Sequence, residues 1–395
     1  MNILIAHNRY QVGGGEDAVV RDEAKLLREH GHSVELLEQD NDAIQGIRGK
    51  LSASASIFYS ASSRERMKRM VHDFRPDIVH VHNWFPMLSP SIILAANACR
   101  VPVVQTLHNF RMLCANALLY RDGVVCADCV GKSLPVNGIV HGCYRGSRTG
   151  SAIVTAAYAV HRMAHTWDCI DCFIAVSEFQ RGILVRGGLP ADKVVVKPNF
   201  AGWDTWDAEK NTEEVALFAG RLSREKGIRT LLSAWNTGKI PLRLKIIGDG
   251  PMADEVRACV ASNTEVEYLG LQSPEAVYRE IRKAKFLVFP SECYETFGRT
   301  AVEAFSQGTP VLAADLGGVR ELVENGVTGY CFPAGNRDAL VEEACRFPSG
   351  EGYERMRSNC RNLFLKKFTA EINYALLIEI YASVITTRKM RQKYL

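Results

Sequence analysis

Glu295 and Glu303 stand at E-x7-E spacing in the stretch SECYETFGRTAVEAF, with Phe297, Gly298, Arg299 and Thr300 between them. An apolar run, KFLVFP, precedes them, and a helical pattern begins near Gly298. Glu295 therefore falls before the helix and Glu303 in its second turn. They do not share one helical face, so a rigid acid/base pair is not the expected chemistry. The free N–H groups of Phe297 to Thr300 would form an anion cradle at the helix start. Carboxylates flanking it could accept hydrogen bonds from the vicinal hydroxyls of a ribose or hexose ring. The alternative is an ordinary solvated acidic face.

Upstream, ALFAGRLSREKG ends a buried strand at Gly220 and follows it with Arg221 and Lys226. A guanidinium can fork onto a phosphate and an ammonium adds a point charge. The competing reading is two solvated loop cations. In IIGDGPMADEV, Gly248 and Gly250 allow a sharp turn after a strand, and Pro251 suits a first helical position. A strand-to-helix turn explains that segment, with any function coming from proximity to the cations.

The elements that must position these residues alternate along the whole chain. NILIAHN, HSVELLEQ, DIVHVHN, VPVVQTLHN, CFIAVS and KVVVKPN read as strands separated by helical patterns. VALFAGRL, LRLKIIGDG, VEYLG, KFLVFPS and TPVLAAD repeat the scheme in the second half. Strands apolar on both faces and alternating with helices imply parallel sheets covered on both sides. The expected fold class is therefore α/β, with two successive doubly wound units and ligands at the carboxyl ends of strands. KPNFAGWDTWDAEKNTEE, Lys197 to Glu214, loses periodicity and marks the connection. This predicts a first domain over 1–198, a second over 199–369, and a last helix, 370–395, packing back on the first, with the site in a cleft between the domains.

Taken together, Arg221 and Lys226 in GRL…EKG, the GDGP turn, Glu295 with Phe297-Gly298, Glu303, and the run TPVLAADLGGVRELVENGVTGYCFPAGN resemble family-4 glycosyltransferases. The resemblance covers nearly the whole chain and is densest over Leu217 to Asn336. It implies a GT-B fold and a retaining hexosyltransferase that uses a nucleotide-diphosphate sugar of the UDP or GDP type. By that resemblance Arg221 and Lys226 neutralise the departing diphosphate, so catalysis requires no metal cofactor. Glu303 holds the ribose hydroxyls and Glu295 contacts the donor sugar. Phe297, Gly298, Arg299 and Thr300 line the donor site with Gly248 and Gly250. Two-domain sugar-nucleotide epimerases share the fold and are the first rival. A non-catalytic sugar-nucleotide-binding module is the second.

The first domain would then take the acceptor, a glycan or lipid-linked glycan. Gly13, Gly14 and Gly15 follow its first strand, and GGGEDA formally fits a dinucleotide fingerprint. Glu16 and Asp17 oppose a pyrophosphate there, and the resemblance implies a glycine loop closing over the donor instead. His108, ending the strand of TLHNF, matches a family His that contacts the donor sugar. Trp84, in HVHNWF, could stack on a sugar ring.

The segment 111–147 departs from the family pattern as a Cys-rich insertion carrying Cys114, Cys126, Cys129 and Cys143. Its C-x2-C pair and flanking thiols suggest a structural zinc site; four unrelated thiols are the alternative. The net charge of +4 among 395 residues argues no nucleic-acid partner. No apolar run approaches the ~20 residues that span a bilayer, and the N-terminus lacks a basic leader. A cytoplasmic protein is expected, and the resemblance implies a role in cell-surface polysaccharide or glycolipid synthesis. The basic helical pattern SSRERMKRMVHDFR and the tail RKMRQKYL could add peripheral contact with the inner face of the membrane.

Overall fold

The chain folds into two units, each built on a six-stranded parallel sheet. The structure is a computed structural model describing residues 1–395 other than 12–13, 42–43, 45, 205, 207–211 and 394–395. Gly13, part of the expected connection, and the end of the basic tail lie outside the described residues.

The strands, in chain order, are β1 (Asn2–Arg9), β2 (Ser33–Asp40), β3 (Ile78–Asn83), β4 (Val103–Leu107), β5 (Tyr120–Arg121), β6 (Val124–Val125), β7 (Cys172–Ala175) and β8 (Val194–Val196). They continue with β9 (Val215–Ala219), β10 (Arg243–Ile247), β11 (Val266–Gly270), β12 (Phe286–Phe289), β13 (Val311–Ala314) and β14 (Gly329–Phe332).

The first unit comprises Met1–Leu118, Ala127–Pro198 and Glu371–Leu395. Its strand order is β2-β1-β3-β4-β7-β8. β3, β4 and β7 are buried along their length, which explains why their sequences are apolar on both faces. Ile3, Ile5, Val34, Ile78, Val104 and Ile174 form part of this core. On the helix Gly15–Glu29, Val20, Ala24 and Leu27 face it at helical spacing. The helix Ala370–Lys393 adds Leu377, Tyr381 and Val384, also at helical spacing. Burying each of the larger aliphatic side chains among these contributes about 1.5–3 kcal/mol. The stretch Glu351–Arg391 is long and apolar enough to cross a membrane by composition, against the sequence expectation. Within it, Leu377, Tyr381 and Val384 pack in this core, while Met356 packs in the core of the second unit.

The second unit comprises Leu119–Cys126 and Asn199–Ala370, with strand order β11-β10-β9-β12-β13-β14. Its core includes Phe218, Leu231, Leu244, Ile246, Phe286, Val288 and Leu312. The hairpin β5–β6 was expected inside the insertion of the first domain, yet it clusters with the second unit. Its turn, Asp122-Gly123, has positive φ at both residues, the conformation that matches hairpin twist. Gly123 packs so tightly on Arg224 that an added Cβ would lie 2.6 Å from its Nη2.

In both sheets the strand order reverses once: between β1 and β3 in the first, between β9 and β12 in the second. At such a reversal neighbouring crossovers leave the sheet on opposite faces. This opens a crevice at the carboxyl ends of the two strands.

Candidate active site

The reversal in the second unit is where the predicted residues converge. Arg221 and Lys226 follow β9, and Glu295 follows β12. Lys226 Nζ donates to Glu295 Oε1 at 2.5 Å, and Ser291 Oγ donates to the same oxygen at 2.7 Å. Lys226 Nζ also stands 5.9 Å from the centre of the Phe289 ring. Burial pushes the Lys226 ammonium toward losing its proton, but the Glu295 charge more than offsets this and its pKa is raised. Lys226 is therefore a permanent cation at the site. Arg221 is exposed, and among the described residues its guanidinium has no partner.

Glycines make this geometry possible. Gly227, at φ 72°, starts the helix Ile228–Trp235 so close to β12 that a Cβ would meet the Pro290 carbonyl at 1.9 Å. Gly248, at φ 136°, passes the Gly220 carbonyl at a distance that leaves a Cβ only 1.8 Å away. Gly250 likewise lies against Leu222. The GDGP turn is thus packed on the Arg221 loop, and Leu222 N–H donates to the Asp249 carbonyl at 2.9 Å.

Glu303 is separate from the Lys226–Glu295 pair. It lies in the helix Arg299–Ser306 and accepts from Arg299 Nε at 3.0 Å, an i,i+4 ion pair. Gly298 caps that helix at φ 114°. Phe297 is buried edge-on against Phe368, so only its backbone is presented. Thr300 is half-buried in the first helical turn. Glu292 accepts from Thr230 Oγ1 at 2.6 Å, while its N–H donates to the Glu225 carbonyl, tying the two loops together.

Gly317 and Gly318, quoted above within the run that carries the resemblance, were given no role in the site by the sequence. Gly317, at φ 74°, would place a Cβ 2.7 Å from Glu295 N, and Gly318 N–H donates to the Glu295 carbonyl at 2.6 Å. Paired glycines after β13 were the available signal for this contact. Cys293 lies beneath the pair, its Sγ 4.0 Å from Glu295 Oε1; burial, then the Glu295 charge, hold the thiol well above its usual range.

In the first unit, His108 follows β4, and its Nε2 lies 2.9 Å from His82 Nδ1 on β3. His82 Nε2 lies 3.1 Å from Glu23 Oε1, His80 Nδ1 lies 3.0 Å from the same oxygen, and Lys197 Nζ donates to Glu23 Oε2 at 3.0 Å. Tyr381 OH is 2.7 Å from His80 Nδ1, and Asn373 accepts from Lys197 at 3.0 Å. Burial opposes ionisation of Glu23, but Lys197 and the two imidazoles win and hold its pKa well below the usual carboxylate range. Burial, seconded by His80, depresses His82 to about 3, and burial depresses His108 as well. With Glu23 ionised and His82 neutral, His82 donates from Nε2, and its Nδ1 accepts from His108 Nε2–H.

Gly14 and Gly15 open the helix Gly15–Glu29, but Asp17 already caps it. Its Oδ2 accepts from Gly14 N–H at 2.8 Å, and its Oδ1 lies 2.8 Å from His7 Nε2. Trp84 is buried, stacked 5.5 Å from Trp167, so its ring belongs to the core and is not offered to a sugar.

Among the described residues, Glu23, His80 and His82 are the group of three or more whose ligand atoms approach within 4.8 Å. Lys197 already supplies the cation there. Of the expected zinc ligands, Cys126 belongs to the second unit. Cys114, Cys129 and Cys143 of the first are not brought into such a group. Cys114 Sγ lies 3.0 Å from Asn116 Oδ1, and Cys129 Sγ 3.9 Å from the Pro135 carbonyl.

Two doubly wound α/β units of this kind define the GT-B class. Residues 14–199 match the family described as "Glycosyl transferase 4-like domain" and residues 205–362 match "Glycosyl transferases group 1". The chain is 32% identical over 317 residues to a glycosyltransferase of Methanocaldococcus jannaschii, covering 80% of this chain and 78% of that one. It is 24% identical to the phosphatidyl-myo-inositol mannosyltransferase of Mycobacterium leprae, over 86% of this chain and 85% of the relative. Anabaena HepE, solved in complex with UDP and glucose, superposes with a TM-score of 0.67 at 19% identity, over 97% of this chain and 100% of that one. The chain belongs to the group 1 glycosyltransferases of family 4, and it is a glycosyltransferase enzyme.

Proposed function

We propose that the enzyme moves a hexosyl group from a nucleoside diphosphate sugar to a glycan or lipid-linked glycan acceptor, with retention of anomeric configuration. The carrying observation is the position of Arg221, Lys226 and Glu295 at the strand-order reversal of the second unit. In the reaction, the bond between the anomeric carbon and the β-phosphate oxygen breaks. An acceptor hydroxyl oxygen bonds to the same face of that carbon, and its proton passes to the departing diphosphate. The developing charge is the barrier, and fixed cations in a site of low dielectric lower it. Lys226, kept charged by Glu295, and Arg221 take that role, so no metal is required. Glu295 also orients the donor sugar. Glu303 accepts from the ribose hydroxyls, beside the N–H groups of Arg299 and Thr300. The UDP and glucose in the HepE structure support a nucleotide-sugar donor.

His108 keeps the proposed role of a sugar contact that the resemblance implies. The peripheral-membrane reading now rests on exposed Arg69 and Arg75, because Met67 and Val71 of the same helix pack inward. The deciding experiment incubates the enzyme with UDP- and GDP-sugars, with and without glycan acceptors, and resolves the products by mass spectrometry. Acceptor mass increased by one hexose supports transfer. An epimerised donor formed without acceptor would sink it.

A further inference from the structure

At the reversal between β1 and β3, the first unit gathers polar groups that have no role in the chemistry above. Tyr10 follows β1, and Glu16 stands in the first turn of the next helix. Phe85 follows β3, and Arg111 follows β4. Tyr158 projects from the helix Arg148–Met163. The Arg111 guanidinium lies 4.1 Å over the Phe85 ring, and Tyr144 packs edge-on against that ring at 6.0 Å. Asn109 Oδ1 accepts from Arg111 N–H at 3.0 Å, which fixes the turn that aims the side chain. Tyr10 OH donates to Glu16 Oε2 at 2.9 Å.

Among the described residues, four atoms in this place are buried and lack a hydrogen-bond partner of normal geometry: Arg111 Nε, Arg111 Nη1, Tyr158 OH and Glu16 Oε1. The Tyr158 ring is 7% exposed. Its hydroxyl lies close enough to feel the Arg111 charge, yet it makes no hydrogen bond of normal geometry. Arginine stays charged at any working pH, and buried donors without acceptors are costly. The Arg111 side chain and the Tyr158 hydroxyl are thus neighbours with hydrogen-bonding capacity left over, and the Glu16 carboxyl lies within range of the Arg111 charge. Burial, the largest influence, raises the Glu16 pKa to about 7, which reduces its repulsion of an anion and lets it either donate or accept.

We propose that Arg111, Tyr158 and Glu16 form an acceptor subsite for an anionic sugar, with Arg111 and Tyr158 holding an oxyanion and Glu16 bonding a neighbouring ring hydroxyl. This rests on the reading of the first unit as the acceptor side, and it adds the chemical class of the acceptor. A phosphate or a carboxylate would satisfy the same donors.

The test is calorimetric titration of glucuronate, glucose 1-phosphate and glucose into the full-length enzyme, with UDP saturating the nucleotide site. At least one anionic sugar binds saturably, and glucose at least about tenfold more weakly, the factor a charge-assisted hydrogen bond supplies. Arg111→Gln loses the anionic sugar by a similar factor and keeps wild-type UDP affinity. Tyr158→Phe, which keeps the ring and its packing, weakens the anion alone and stands in if Arg111→Gln fails to fold. Equal binding of glucose and both anions overturns the subsite, as does wild-type anion affinity in both variants. An enzyme that binds an anionic sugar but no UDP or GDP overturns the transferase reading and leaves the subsite standing. One that binds UDP but no anionic sugar does the reverse.

Discussion

The two units share an architecture and spend it differently. At the reversal of the second sheet, close backbone passages through Gly227, Gly248, Gly250 and Gly317 bring a lysine and a carboxylate together near the surface. At the reversal of the first, the described glycines Gly14 and Gly15 have open space around them. The polar groups are buried side chains linked in series, from Lys197 through Glu23 and His82 to His108. A glycine-lined loop leaves room for a ligand's phosphates to approach main chain. A buried ion network instead fixes side-chain orientation and protonation, because every wrong arrangement leaves a charge unpaired.

The largest effect should come from the second unit. Lys226→Ala is expected to lower kcat/KM about 10²–10³-fold, the usual cost of removing one charge-stabilising group, with the melting temperature nearly unchanged. A steady-state transfer assay checks this. Breaking the first unit's network should act on stability instead. Glu23→Ala strands Lys197 and two imidazoles and should cost about 3–5 kcal/mol, read by denaturant unfolding. Gly317→Ala sharpens the contrast: its Cβ would press on the Glu295 backbone. About tenfold or more of activity should be lost, since small displacements of a positioned group are expensive.

Acid should separate the units as well. His82 has a folded pKa of about 3, depressed below its unfolded value. The unfolded chain therefore binds the proton first as pH falls. Stability from this group is complete above about pH 6.5 and declines below it, by about 1.4 kcal/mol per pH unit. Over this range the raised pKa of Glu16 acts in the opposite direction and the depressed pKa of His108 in the same one, so the His82 slope is read as the difference between wild type and His82→Gln in denaturant unfolding from pH 7 to 5. The smallest effect is expected on the exposed basic face: Arg69→Glu should change stability by less than about 0.5 kcal/mol.

Much of this was readable from residue order. Parallel strands announce themselves as short runs apolar on both faces, and the cations after β9 and carboxylates after β12 fall within single segments. The rest depended on contacts between residues far apart. Nothing near Glu23 in the sequence points to Lys197 or to the histidines of β3, and Tyr381 meets His80 only because the last helix returns to the first sheet. The Asp122-Gly123 turn was a legible hairpin signal inside the Cys-rich segment. Trp84 looked available because a strand end usually faces ligand; Trp167, brought beside it by the fold, takes that surface.

The central claim is that the second unit's Arg221, Lys226 and Glu295 form a nucleotide-sugar site. Its most direct test is calorimetric titration of UDP and GDP into the wild-type enzyme and into the Arg221→Ala, Lys226→Ala double variant. One nucleotide should bind the wild type and lose at least about tenfold in affinity in the variant, as loss of charge-assisted contacts to phosphate requires. Binding of neither nucleotide, or equal binding to both proteins, would contradict it.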